Sequence, residues 1–65
     1  MNEETNTIRL WIANDEGLYL SSKRVVNYFA LRNLIIDANQ AGYWFAGVDL
    51  EKVDYEALFD SINDE

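Results

Sequence analysis

A chain this short, without a cysteine or a histidine, has to be held together by what its side chains bury. Its 65 residues contain no Cys, no His and no Pro. No disulfide staple is therefore open to it, and a structural zinc is excluded in practice. A domain of this size buries only about 60% of the surface that its unfolded chain exposes, so large side chains must supply the core. Two Trp, four Tyr and three Phe are available for this, and each buries a large area per residue. One compact domain over residues 1–65 is expected, since no linker, repeat or low-complexity stretch divides the sequence.

Hydrophobic spacing points mostly to helices. Ile8, Leu10 and Ile12 alternate like a half-buried strand, yet Ile8, Trp11 and Ile12 also match one face of a helix. On the strand reading, NDEG at 14–17 closes a hairpin onto LYL. On the helix reading, Asn2 is an N-cap, Glu3 and Glu4 complement the first-turn dipole, and Asn14 or Asp15 caps the next helix. The stretch SSKRVVNYFALRNLIIDANQAG, 21–42, predicts a central helix capped by Ser21 or Ser22 and closed by Gly42. Val25, Val26, Tyr28, Phe29, Leu31, Leu34, Ile35 and Ile36 make that helix apolar on most sides, so neighbours are expected on more than one face.

The stretch AGYWFAGVDLEK, 41–52, fits a short strand, but Ala41, Trp44, Phe45 and Val48 also match helical spacing, and a short helix is the favoured reading. The last element is plainer. Asp54 reads as an N-cap, Val53 and Leu58 take the two positions of a hydrophobic staple, and Tyr55, Leu58, Phe59 and Ile62 form a stripe at helical spacing over 55–63. The expected fold is mostly α, a single-domain bundle of about four helices. The alternative, an α+β fold with an N-terminal hairpin, stays open.

Charge is distributed unevenly. The formal net charge is -7. In residues 1–36 the acids Glu3, Glu4, Asp15 and Glu16 balance Arg9, Lys23, Arg24 and Arg32, whereas residues 37–65 set eight acids against Lys52 alone. Such a field repels nucleic acid and anionic membrane and attracts basic protein surfaces. Acidity also serves solubility in many small proteins. Glu56, Asp60 and Asp64 recur at i+4 steps, about 6 Å of helical rise each, and therefore face solvent opposite the apolar stripe. The opening MNEETN is acidic and polar, unlike a signal peptide, and no apolar run nears the ~18 residues of a membrane span. A soluble protein of the cytoplasm is expected, as a monomer or weak homodimer.

Few residues invite catalysis. DANQAG at 37–42 imitates the start of a calcium loop, but Ala41 stands where an oxygen ligand is needed and Val48 where a bidentate Glu belongs. A helix end closed by Gly42 explains the same residues. Ser21, Ser22 and Ser61 have no His to act as base. Asp15 and Glu16 would need a cleft to do acid–base work, and a helix N-terminus accounts for them better. No enzyme, cofactor or metal is expected. In YWF, 43–45, three consecutive rings cannot all point inward, so at least one meets a neighbouring element or a partner, with Trp44 as the candidate anchor of an adaptor or dimerisation module.

The stretch NEETNTIRLWIANDEGLY resembles a family of small proteins from phages and other mobile elements. Their Asn-x-Glu-Thr start runs into Leu-Trp-Ile/Leu and then Asn-Asp-Glu-Gly-x-Tyr. The matching residues are Asn2, Glu4, Thr5, Leu10, Trp11, Ile12, Asn14, Asp15, Glu16, Gly17 and Tyr19, and VDYEALF at 53–59 is similar to the family's closing helix. The sequence departs at Asn6, where the family usually carries Trp, and its middle is shorter. The resemblance implies helix for residues 2–13 and makes NDEGLY a joint between helices.

In size, charge and mobile-element likeness the chain is also similar to anti-CRISPR inhibitors, those of type I-C in particular. That likeness implies a DNA mimic, whose carboxylates occupy the basic groove in which an effector complex holds target duplex. The residues so implicated are Asp49, Glu51, Asp54, Glu56, Asp60 and Asp64, with Asp15, Glu16 and Trp44 as secondary candidates. The implied partner is the basic DNA-binding surface of a type I effector in the infected cell, with no direct binding of nucleic acid or membrane. An anti-restriction protein would share the mimicry and act on a restriction enzyme instead.

Overall fold

Asparagine and aspartate begin every α-helix among the described residues, which in this computed structural model are 1–45 and 47–64. Helix α1 (Glu3–Asn14) is capped by Asn2, whose side chain accepts from the Thr5 amide at 2.8 Å. Helix α2 (Glu16–Arg24) is capped by Asp15 through the Leu18 amide at 3.0 Å. Helix α3 (Tyr28–Gln40) is capped by Asn27 through Ala30 at 2.9 Å, and α4 (Tyr55–Asn63) by Asp54 through Ala57 at 3.1 Å. Each cap satisfies one of the amides that a helix start leaves without an internal partner. A single 3-10 turn, Leu50–Lys52, precedes α4 and is capped by Asp49.

The fold is thus a small bundle of four α-helices, and no strand occurs among the described residues. The hairpin alternative is corrected on this point: residues 3–14 are helical, and NDEGLY holds the one-residue joint at Asp15 between α1 and α2. The core takes Ile8 and Ile12 from α1, Leu18 from α2, Leu31 and Ile35 from α3, and Tyr55, Leu58 and Ile62 from α4, closed by Phe45 and Val53. Val53 and Leu58 flank the start of α4 as the staple predicts, and both are buried. Helix α1 lies against α2, α4 and the 3-10 turn, while α3 packs chiefly on α4.

Two expectations are overturned. The central helix over 21–42 is broken, because α2 ends at Arg24 and α3 starts only at Tyr28. Ser22 is no cap; it lies inside α2, and its hydroxyl donates back to the Tyr19 carbonyl at 2.8 Å. The consecutive β-branched Val25 and Val26 favour extended backbone, and Asn27 supplies a new start. Val26, Tyr28 and Phe29, expected to be buried, are exposed at this joint, with the Tyr28 and Phe29 rings stacked at 4.5 Å.

The short helix over 41–48 is likewise absent from the described residues there. Instead α3 closes with Tyr43 N–H donating to Ala38 O and Gly42 N–H to Asn39 O, the paired bonds of a Schellman ending. Gly42 sits at φ 112°, which side-chain-bearing residues rarely adopt. Asp37 and Asn39 of the calcium-like motif accordingly belong to the last turns of α3.

Two long-range hydrogen bonds join the starts of α1 and α4. The fully buried Thr5 hydroxyl accepts from the Asp54 amide at 2.7 Å, and the Asn2 amide group donates to Lys52 O at 2.8 Å. Removing the Thr5 oxygen at near-constant volume leaves the Asp54 N–H without its partner, so Thr5→Val should lose about 1–3 kcal/mol of stability in urea unfolding.

Tyr55 is buried and donates to Leu50 O at 2.7 Å. Burial pushes its phenol pKa up; Arg32 nearby opposes this and Asp49 adds to it. The Tyr43 phenol is also raised, by burial first and then by the charge and hydrogen bond of Asp15. A raised phenol holds its proton in the folded state after the unfolded chain has begun to lose it. Stability should therefore be unaffected by these groups below about pH 10 and fall as pH rises beyond it. Tyr55→Phe should make that alkaline fall shallower and cost about 1 kcal/mol at neutral pH, both readable from thermal unfolding between pH 7 and 11.

Candidate interaction surface

The joined helix starts gather carboxylates from distant parts of the chain. Glu3, Glu4 and Thr7 of α1 form one wall of a groove of about 440 Å³ whose other wall is Gly47, Val48, Asp49 and Lys52. Glu51 is exposed on the adjoining 3-10 turn, and Asp54 and Glu56 are exposed at the start of α4, tied to α1 through Thr5. Glu3, Glu4 and Asp49 thus line one groove together with Lys52, and the exposed Glu51, Asp54 and Glu56 lie on the segment that adjoins it.

Of the sequence-predicted acids, Asp49 lines this groove, and Glu51, Asp54 and Glu56 follow on the adjoining 3-10 turn and at the start of α4. The other two, Asp60 and Asp64, are exposed further along α4, a nine-residue helix about 13 Å long. Glu3 and Glu4 belong to the surface although the charge count over 1–36 balances. Their membership depends on the Thr5 and Asn2 bonds, which no local pattern announces. Asp15 and Glu16 lie apart, at the α1–α2 joint, where Asp15 caps α2 and accepts a long contact of 3.4 Å from the Tyr43 hydroxyl.

The acids differ in what they do for the fold. Asp49 and Asp54 each spend one carboxylate oxygen on a cap, and the remaining lone pairs stay available. Glu3, Glu4 and Glu56 occupy first turns, where the positive end of the helix dipole favours them. Asp60 and Asp64 stand at the opposite, negative end of α4, whose last turn carries no basic residue of its own. Relief comes from α2, where the Lys23 ammonium donates to Ile62 O at 2.7 Å and sits 5.4 Å over the Tyr19 ring.

The segment after Gly42 runs back along one stripe of α1. Tyr43 and Phe45 pack on Trp11, the latter edge-on at 5.5 Å, and Gly47–Asp49 face Thr7 and Glu3 across the groove. Glu3, Thr7 and Trp11 are four residues apart and so share a face. Trp44, between two inward rings, is 72% exposed.

Among the described residues no group of three or more acidic side chains is arranged to hold a metal ion, and no helix is long and apolar enough to cross a membrane. No protein-family model, curated protein or solved structure matches this chain.

Helix dipoles give one and the same loss of charge opposite effects at N-terminal and C-terminal ends. Asp60→Asn with Asp64→Asn should raise stability by a few tenths of a kcal/mol, and Glu3→Gln with Glu4→Gln should lower it by a similar amount. Both effects should shrink as salt is added in thermal unfolding.

Proposed function

We propose that this protein is a non-enzymatic inhibitor that presents its acidic end and the Glu56–Asp60–Asp64 ridge to a basic, nucleic-acid-binding surface of a defence complex. It would compete there with target duplex. The observation that carries the reading is the groove shared by Glu3, Glu4 and Asp49, with Glu51, Asp54 and Glu56 exposed on the segment that adjoins it, in a domain only 26 × 23 × 21 Å across. Proteins that grip duplex backbone do so with Lys and Arg, and those contacts dominate their affinity. A helix-borne set of carboxylates addresses the same cations without any chemical step. The resemblance to small phage and mobile-element proteins supplies the context, a type I CRISPR effector being the foremost target. An anti-restriction protein would use the same surface against a restriction enzyme.

Prior mixing with the pure protein should reduce capture of labelled target duplex by a type I effector in a gel shift, and the effect should weaken as salt rises. Glu3→Gln, Glu4→Gln, Glu51→Gln and Glu56→Gln combined with Asp49→Asn and Asp54→Asn should relieve it by about tenfold or more. The two Asn replacements retain the caps, so circular dichroism should report an intact fold. Inhibition undiminished in the folded variant would contradict the reading. If only a restriction enzyme loses its duplex, the target is the anti-restriction one.

A further inference from the structure

Helix α3 buries one side in the bundle and leaves the other uncovered among the described residues. Its inward side carries Leu31 and Ile35, both fully buried, with Leu34 and Ala38 against the same core. Its outward side carries Phe29, Asn33, Ile36 and Gln40, spaced four, three and four residues apart and so aligned on one stripe. Phe29 is 61% exposed, and its ring is steadied by stacking on Tyr28 at 4.5 Å. Asn33 and Gln40 are exposed, and Ile36 is no part of the core.

That spacing is the seam of a pair of helices: in a heptad abcdefg, Phe29 and Ile36 take d, and Asn33 and Gln40 take a. The flanking charges indicate what lies opposite. Arg32 and Asp37 are the sole charged residues of α3; both are exposed, and they border the stripe on its two sides, at g and e. In a parallel pair of identical helices a g residue faces the e residue five positions on in the other helix. Arg32 of each copy then meets Asp37 of the other, and symmetry supplies the pair twice. An acidic or a basic partner would answer only one of these charges, whereas a second copy answers both.

The stripe itself selects the same alignment. Parallel helices in register set Phe29 on Phe29, Ile36 on Ile36, and amide on amide at Asn33 and Gln40, where hydrogen bonds can be exchanged. Antiparallel helices would set the amides of Asn33 and Gln40 against Ile36 and Phe29, and would part Arg32 from Asp37. Each α3 is already held in its bundle, so association need not form the helix, a cost that defeats free helices of this length.

We propose that two copies of this chain associate in parallel through the outward stripe of α3, with Phe29 and Ile36 as apolar layers and reciprocal pairs of Arg32 and Asp37 fixing the orientation. None of these residues lines the groove of Glu3, Glu4 and Asp49, so the pairing is independent of the proposed function.

Sedimentation equilibrium of the full chain, from about 10 µM to about 1 mM, should show the mass rising from one chain toward two. Phe29→Glu places a charge on the first apolar layer, at the second residue of α3, where the helix dipole tolerates it. It should weaken association by about tenfold or more and leave the circular dichroism spectrum unchanged. Asp37→Arg should weaken association by about two- to five-fold, and Arg32→Asp combined with Asp37→Arg should restore it. Because the chain has no cysteine, oxidative cross-linking reports the alignment: Asn33→Cys should join two chains faster than Glu51→Cys, which lies outside the stripe. A chain that stays monomeric over the whole range overturns the proposal, as does association undiminished in folded Phe29→Glu. Failure of the double charge exchange to restore association, or cross-linking no faster at position 33 than at position 51, overturns it equally.

Discussion

The hydrogen bond from the Asp54 amide to the buried Thr5 hydroxyl spans 49 positions of sequence and sets the layout of the molecule. It joins the starts of α1 and α4, and the Asn2 bond to Lys52 O doubles the connection. An N–H closed off from water needs a partner, and Thr5 is the acceptor that the helix pairing offers it. The acidic end exists because of this junction. Were α1 to meet α4 at its other end, Glu3 and Glu4 would face Asp60 and Asp64, and the groove beside Asp49 would not form.

The same residue types that start the helices also carry the charge. Asp49 and Asp54 are caps and surface anions at once, and Glu3, Glu4 and Glu56 lean on helix dipoles that lower the cost of crowding them. A concentrated negative surface is thereby built largely from positions where a negative charge is tolerated. Asp60 and Asp64 are the exception, since they oppose the dipole of α4, and the fold answers with Lys23 from another helix. Two acids placed against the local electrostatics are more informative about use than five that the helices would favour anyway.

Aromatic packing decides the remainder. Trp11, Tyr43 and Phe45 form one cluster that pins the segment after α3 to the stripe of α1 leading to Glu3. Filling that cluster leaves Trp44 outside. In the three successive rings of YWF, the alternation of burial comes from a neighbouring helix and not from a period within the segment itself, which is why helical spacing misled there.

Much of the local structure was legible in the amino-acid order, because capping and amphipathic spacing are interactions between near neighbours. Asn2, Asp15 and Asp54 as caps, the staple of Val53 and Leu58, the α4 stripe and the Gly42 ending all follow from residues within one or two turns of each other. The Val25–Asn27 break was local as well, but a long apolar run hid the cap at Asn27. What the order of residues left open was which helix ends meet and which rings win the interior. Those outcomes depend on contacts such as Thr5 with Asp54 and Trp11 with Phe45, between parts of the chain far apart in sequence, and only the packed bundle selects among them.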